Sequence, residues 1–398
     1  MRSRPASGSA RPTTSRLAQV LSLLCLVQLA VTPPHAYANL PSGAQVVQGN
    51  VNITQSGGAM NIRQTSQNAI VNWQSFNIGT GNTVKIAQNG TTAAMLARVV
   101  GNDPSKLLGS LKADGKLFLI NSRGILVGEG AVIDTAAFLA STLDVSDDAF
   151  LRGGALTLKG KSDAAVVNLG TITAREGNVF LFAHTVKNDG TINAAKGTAG
   201  LGAGTEVLLA SPEAGEFVIK TNLSSSKEKS GVENSGVIAA AQAQLEAAGG
   251  SIYELAINQS GVVRATGAKV KNGRVLLTAD GGTVGVSGEV SAQNKNGSGG
   301  EILVGGDFRG QNDAIANADR TVVTKTGKLD ASAANKTSAA GRVIVWSDDA
   351  TRFLGTLKAT GAGGALPKCQ ANVFSISIRA LRCSWAKAAR CCSIPTRW

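Results

Sequence analysis

The chain has 398 residues, 48 of them glycine, with 43% hydrophobic and only 4% aromatic residues. That content is too apolar for a disordered chain, and its bias toward Gly, Val, Ile, Ala, Asn and Thr is that of β structure with many turns. The formal charge of +13 overstates the body, because ten of the 39 Lys and Arg residues lie in residues 1–38 and 366–398, where no acid stands; the middle lacks the strongly basic surface expected of a nucleic-acid or anionic-membrane binder.

Residues 1–38 read as a secretory signal peptide. A basic start with Arg2, Arg4, Arg11 and Arg16 precedes an apolar core from Leu17 to Val31, and Pro33-Pro34 ends it. Ala36-Tyr37-Ala38 supplies the small-x-small cleavage pattern, so maturation leaves Asn39 first. A leader kept as an uncleaved anchor is the competing reading. Residues 39–100 then alternate with period two at Val51/Ile53, Met60/Ile62, Ala69/Val71/Trp73 and Val84/Ile86, punctuated by Gly57-Gly58, Gly79-Thr80-Gly81-Asn82 and Asn89-Gly90. These are short strands with tight turns. Pro104 to Leu108 predicts one helical turn with Ser105 as N-cap. Ile133 to Leu143 is either a short helix or an extended segment.

Leu117 to Gly128 is the stretch around which the rest is arranged. Leu117-Phe118-Leu119-Ile120 predicts a strand, Asn121-Ser122-Arg123-Gly124 a corner, and Ile125-Leu126-Val127 a second strand. Gly124 can take φ > 0 at no steric cost, and Asn121 can brace the corner by bonding its own backbone two residues on. By itself the stretch reads as an ordinary buried hairpin or arc.

From about residue 165 the chain repeats. The unit apolar-x-Asn-x-Gly-x-apolar-x-Ala stands at Val167–Ala174, recurs with one more residue at Val186–Ala194 and Val232–Ala240, and has looser copies around Gly261, Gly288, Gly327 and Gly355. A second unit, Gly-x-apolar-x-apolar-x-small, begins at Gly177, Gly273, Gly300 and Gly341. Units too short to bury a core alone are expected to stack as a parallel solenoid, with Asn and Gly at corners that need φ > 0. A sandwich of hairpins is the competing arrangement. Residues 366–398 break the pattern with four Cys, six basic residues and no Gly. They read as out of frame or as an interrupted gene, against a terminal cap helix over Ile378 to Ala389.

Several motifs, in one order, carry a resemblance. Leu40-Pro41-Ser42-Gly43, Asn72-Trp73-Gln74-Ser75-Phe76-Asn77-Ile78-Gly79, Arg98-Val99-Val100-Gly101, the corner residues Asn121, Gly124 and Ile125, then Gly128, Gly130 and Ala131, and Ala140-Ser141-Thr142-Leu143-Asp144 together resemble the secretion domain of two-partner-secreted exoproteins, the filamentous haemagglutinin family. Ser122-Arg123 departs from the Pro-Asn usual there. The resemblance implies an all-β, right-handed parallel β-helix (solenoid) with an N-terminal secretion-domain cap. It implies a secretion domain over 39–160 and a β-helix passenger over 161–365. It also implies a route: Sec export, recognition by an outer-membrane Omp85-type transporter through its periplasmic POTRA domains, and release as a secreted or cell-surface adhesin with a host-cell or surface ligand. The secretion motif is expected at Asn121, Ser122, Arg123, Gly124 and Ile125. A haem-acquisition protein, a toxin-delivery protein or a solenoid enzyme could use the same domain.

No cofactor, metal or catalytic residue is expected. His184 is the one histidine beyond the leader and reads as a structural residue on a strand; residues 39–365 contain no Cys. The Gly200-Leu201-Gly202-Ala203-Gly204 run reads as turn glycine. Asp147-Asp148 and Asp348-Asp349 read as solvated turns, the first of them also suited to a helix N-terminus after Ser146.

Overall fold

Short strands with one buried face are stable only when stacked. The computed structural model describes residues 40–210, 218–223, 230–249, 255–268 and 272–362. The leader, with Ala36, Ala38 and Asn39, and the tail 366–398 lie outside the described residues. The described chain winds as a right-handed parallel β-helix with three strand ladders. The first ladder runs from Ala59–Gln64 through Thr83–Ala87, Ser110–Ala113 and Val132–Thr135 on to Thr356–Lys358. The second runs from Asn68–Trp73 through Ala94–Val99, Lys116–Ile120, Ala137–Ser141 and Val179–Ala183 on to Arg342–Val345. The third, from Ser105–Leu107 through Ile125–Val127 and Ala165–Asn168 to Ala350–Phe353, is a 9-stranded sheet. The first two merge into a 21-stranded sheet because Thr191–Ala203 and Val237–Ala247 each belong to both.

The N-terminal end is closed by antiparallel pairing. Val51–Ser56 pairs with Ala59–Gln64, and Gln45–Gln48 with Asn68–Trp73. This covers an edge that would otherwise be a template for another chain. Inward-facing Val, Ile, Leu and Ala form one continuous core from Leu40 to Leu357, with Trp73 and Phe76 packed edge to face at 5.4 Å in the first coils.

Uneven spacing of the repeat comes from insertions on one flank. After Ala137–Ser141 the chain forms helix α1 (Asp147–Arg152) and the strand Leu156–Lys159. Ser146 caps the helix through its hydroxyl, and Asp147 and Asp148 stand in its first turn, so this acidic pair starts a helix rather than lying in a solvated turn. Glu206–Ala210 and Val218–Asn222 leave the solenoid after Thr191–Ala203 and join Leu156–Lys159 in a three-stranded antiparallel sheet. This sheet and α1 cover outward-facing Ile70, Leu96, Ile120, Leu139, Phe180 and Phe182, giving a second core. Neither core has a seam at residue 160: the lateral sheet spans it. A further insertion, carrying a short turn of 3-10 helix at Phe308–Gly310, packs Phe308 and Ile315 over Leu276, Leu303 and Ile344.

Local expectations are corrected at Pro104–Leu108 and at His184, and the open choice at Ile133–Leu143 is resolved. Pro104–Leu108 is no helical turn; Ser105–Leu107 is a strand of the third ladder, paired with Ile125–Val127. Lateral hydrogen bonding to a neighbouring coil overrides the N-cap signal. Ile133–Leu143 is extended, as the strands Val132–Thr135 and Ala137–Ser141. His184 sits at a bend between Val179–Ala183 and Thr185–Asn188 rather than within a strand.

The repeat glycines do not have positive φ: Gly170, Gly190, Gly236, Gly261 and Gly288 are absent from the left-handed set. They are needed for close approach. A Cβ at Gly190 would lie 2.2 Å from the carbonyl oxygen of Gly170, at Gly236 2.1 Å from that of Gly190, and at Gly261 2.2 Å from that of Gly236. Each of these carbonyls accepts a hydrogen bond from the residue after the next glycine, as in Thr191 N–H to Gly170 and Val237 N–H to Gly190. The repeat asparagines are internal too. Asn168, Asn188, Asn234 and Gln259 are fully buried, and their amides bond head to tail at 2.7, 2.6 and 2.7 Å along the axis. Gly200 and Gly202 lie inside the strand Thr191–Ala203, not in turns. They leave room for the Phe180 and Phe182 rings and for Ile219, which a Cβ would strike.

Candidate functional site

The corner at Asn121 is built as the sequence predicted. Arg123 N–H donates to Asn121 Oδ1 at 2.9 Å, Gly124 N–H donates to the Asn121 carbonyl at 3.0 Å, and Gly124 takes φ +110. The amide does more than brace the turn. Asn121 Nδ2 donates to the Asp103 carbonyl and to Ser105 Oγ, both at 3.0 Å, in the preceding coil. Asn121 N–H reaches forward to the Ser141 carbonyl at 2.9 Å. One buried side chain and its backbone therefore tie three successive coils.

Exposure divides the five motif residues. Asn121 is 0% exposed and Ile125 2%, and Gly124 is buried, whereas Ser122 and Arg123 form the exposed tip. Arg123 lies 3.3 Å from Asn102 Oδ1, and Ser162 Oγ donates to the Ser122 carbonyl at 2.5 Å. The two residues that depart from the family pattern are thus the two that solvent reaches.

The other family-like motifs are stitched to this corner. Gln74 N–H donates to the Ser42 carbonyl and Ser42 N–H to that of Ser75, so the start of the described chain lies on the Asn72–Gly79 segment. Asn77 Oδ1 accepts from Lys106 N–H at 2.8 Å, next to Ser105. Ser141 Oγ closes its own small turn by donating to the Leu143 carbonyl and accepting from Leu143 N–H.

Arg98 links two motifs that the sequence left separate. Its Nε donates to Asp144 at 3.0 Å, and its Nη2 reaches both the Val145 carbonyl and Asp147 at 2.8 Å. Burial works against the charge of Arg98, but Asp144 and then Asp147 outweigh it and hold its pKa above the ordinary guanidinium value. The Arg98-Val99-Val100-Gly101 and Ala140–Asp144 motifs are two halves of one clamp that seats α1 on the solenoid.

A feature with no sequence forecast lies farther along the second ladder. Gln244 and Glu246, on the outer face of Val237–Ala247, treat the edge of Val218–Asn222 as a missing strand. Gln244 accepts from Ile219 N–H at 3.1 Å and donates to its carbonyl at 2.8 Å; Glu246 accepts from Thr221 N–H at 3.0 Å. Gln244 Nε2 also donates to Glu246 at 2.6 Å. Burial raises the Glu246 pKa to about 7 against these hydrogen bonds. The visible signal was the run Gln242-x-Gln244-x-Glu246, polar side chains of one face on a strand otherwise made of Val, Ile, Leu and Ala.

Among the described residues no group of three His, Cys, Asp or Glu stands close enough to hold a metal ion. Asp348 and Asp349 are exposed at a turn, Asp348 accepting from Trp346 Nε1 at 3.0 Å.

Comparison with known proteins follows this geometry. The model of the TPS secretion domain family matches residues 38–292. The heme/hemopexin-binding protein of Haemophilus influenzae is 30% identical over 271 residues, 66% of this chain and 30% of that relative's length. The crystal structure of the HMW1 secretion domain from Haemophilus influenzae superposes with a TM-score of 0.64 at 29% identity, covering 81% of this chain and 91% of that one. The filamentous hemagglutinin secretion domain superposes at a TM-score of 0.45 and 15% identity, covering 83% of this chain and 99% of that one.

Proposed function

Because the chain belongs to the TPS secretion domain family, we propose that residues 39–160 carry what an outer-membrane transporter of the Omp85 type reads through its POTRA domains, after Sec export and cleavage between Ala38 and Asn39. The family match over 38–292 carries this reading. The chain spans less than a third of the length of the curated relatives it matches.

The burial of Asn121 sharpens the reading of the secretion motif. In the folded solenoid the transporter has access to Ser122 and Arg123, not to the Asn121 amide. Asn121, Gly124 and Ile125 then act in recognition through the chain before it folds, and in the folded product they act as structure. Strand addition by an extended segment is the physical basis we favour. The test is export of the full chain with its partner transporter. Asn121→Ala is expected to cost about 1–3 kcal/mol of folding stability, from the buried partners it leaves unmet. Recognition of the unfolded chain predicts that export falls even where the purified variant still folds. Unchanged export of Asn121→Ala would overturn a recognition role for Asn121. Reporter fusions ending at 160 and at 292 measure whether 39–160 suffices.

For the passenger, residues 161–365, the first reading is an adhesive exoprotein that binds a host-cell or surface ligand. A second reading, capture of haem or a haem carrier, is favoured by the name of the relative that covers 66% of this chain. Saturable binding of hemin or hemopexin by the secreted chain, with no binding to host cells, would select the second; the reverse would select the first.

A further inference from the structure

The flank between α1 and the second ladder holds a cavity of about 720 Å³ that the secretion reading does not use. Its floor is a column of small or polar residues in register across successive coils: Asn68, Ala94, Lys116 and Ala137. Asn178, one residue before the Phe138–Val179 pair, continues it. One wall is aromatic and aliphatic. Phe118, Leu139 and Phe180 project from the ladder, and Phe150 of α1 packs edge to face on Phe118 at 5.2 Å. Leu156 and Leu209 close that side, while Leu151 is 36% exposed at its mouth.

Size, lining and charge point to one class of occupant. Five positions at the strand spacing make a trough roughly 19 Å long with Lys116 at its middle, so a chain anchored there has about 10 Å of floor to either side. Gln67, Thr91 and Thr92 add to the polar lining, and a concave site of this volume that combines an apolar wall with polar groups is the usual form of a small-molecule site. Lys116 and Arg152 both line it, and among the described residues neither forms an ion pair or side-chain hydrogen bond. The acid on the same rim, Glu176, is already held by Lys196 at 2.7 Å. The site therefore offers two cations without an ion partner, Lys116 midway along the floor and Arg152 on the α1 side, beside the apolar wall of Phe118, Leu139 and Phe180.

We propose that this trough binds a long-chain amphipathic anion, its apolar chain lying along Phe118, Leu139 and Phe180 and its carboxylate held by Lys116 and Arg152. The proposal is independent of what the passenger captures. No bond is made or broken, and both cations contribute mainly by long-range attraction and hydrogen bonding at a solvent-exposed mouth.

The probe is palmitate, titrated into the full secreted chain below its micellar concentration and followed calorimetrically, with hexadecanol as the uncharged comparison. One saturable site is expected, with palmitate bound about tenfold or more tightly than hexadecanol. The double variant Lys116→Glu/Arg152→Glu should lose that preference and leave the thermal midpoint unchanged. Ala137→Phe, which fills the floor, should abolish binding of both probes while the chain stays folded by circular dichroism. Absence of saturable binding to the folded wild type would overturn the site. So would binding untouched by Ala137→Phe. A preference for palmitate that survives the charge reversal would overturn the assignment of Lys116 and Arg152.

Discussion

Gly236 and Gly130 carry the same side chain for opposite reasons. Gly236 has ordinary backbone angles, but a Cβ there would lie 2.1 Å from the Gly190 carbonyl, an atom fixed in the coil ladder. Gly130 has φ +76 and open space around it. Gly130→Ala is therefore expected to cost about 1 kcal/mol, the price of a left-handed residue with a Cβ. Gly236→Ala must push two coils apart and should cost more than about 3 kcal/mol, or prevent folding. Chemical denaturation of the two variants checks the ordering; equal costs would mean that the glycine column is a matter of backbone angle after all. The asparagine ladder follows the same logic of stacking. Asn168, Asn188 and Asn234 each donate to the equivalent amide one coil on, so the column works only as a set; Val127 and Val286 flank it, and Gln259 Nε2 at its end has no hydrogen-bond partner among the described residues.

At the scale of elements, the lateral sheet is held to the solenoid by hydrogen bonds from side chains rather than by continuation of a ladder. Glu246 is 5% exposed and has its pKa raised by burial from 4.5 to about 7. Between those two values the folded chain holds a proton that the unfolded chain has lost. The stabilising contribution of protonated Glu246 is thus complete below about pH 4.5 and lost as pH rises through about 7, a linkage of roughly 3 kcal/mol as an order of magnitude. Relative to Glu246→Gln, wild-type stability should fall as pH rises across that window. Parallel pH profiles of the two proteins would contradict the buried, raised Glu246. Arg98 is the counterpart at the other end of this flank, joining the ladder to α1 through Asp144 and Asp147.

For the whole molecule, a parallel β-helix has two open ends, and the described N-terminal end is covered by antiparallel strands. Removing residues 40–57 would strip Gln45–Gln48 and Val51–Ser56 from their partners and expose the edge of the first coil. The expected outcome is concentration-dependent association by light scattering, with far-ultraviolet circular dichroism still showing β structure. A shortened chain that stays monomeric would mean that the cap is not what blocks edge pairing. The continuous inner core from Leu40 to Leu357 also makes neighbouring coils mutually dependent.

Much of this was legible in the residues. Period-two alternation, the recurring Asn-x-Gly unit and the turn glycines determined stacked short strands, and Asn121 with Gly124 determined a braced corner, because these depend on neighbours a few positions away. Ser146 with Asp147 and Asp148 suited a helix start but read first as a solvated turn, and the packing of Phe150 into the second core decided for the helix. What the glycines and asparagines were for was decided only by the tertiary structure, since the atoms they meet belong to a coil twenty or more residues distant. The same holds for Ser105: its helix-capping chemistry lost to lateral pairing with Ile125–Val127. Arg98 with Asp144, Gln244 and Glu246 with Val218–Asn222, and the trough beside α1 are juxtapositions across insertions of variable length. No local pattern encodes such contacts, because it is the winding of the solenoid that sets which coil each insertion lands on.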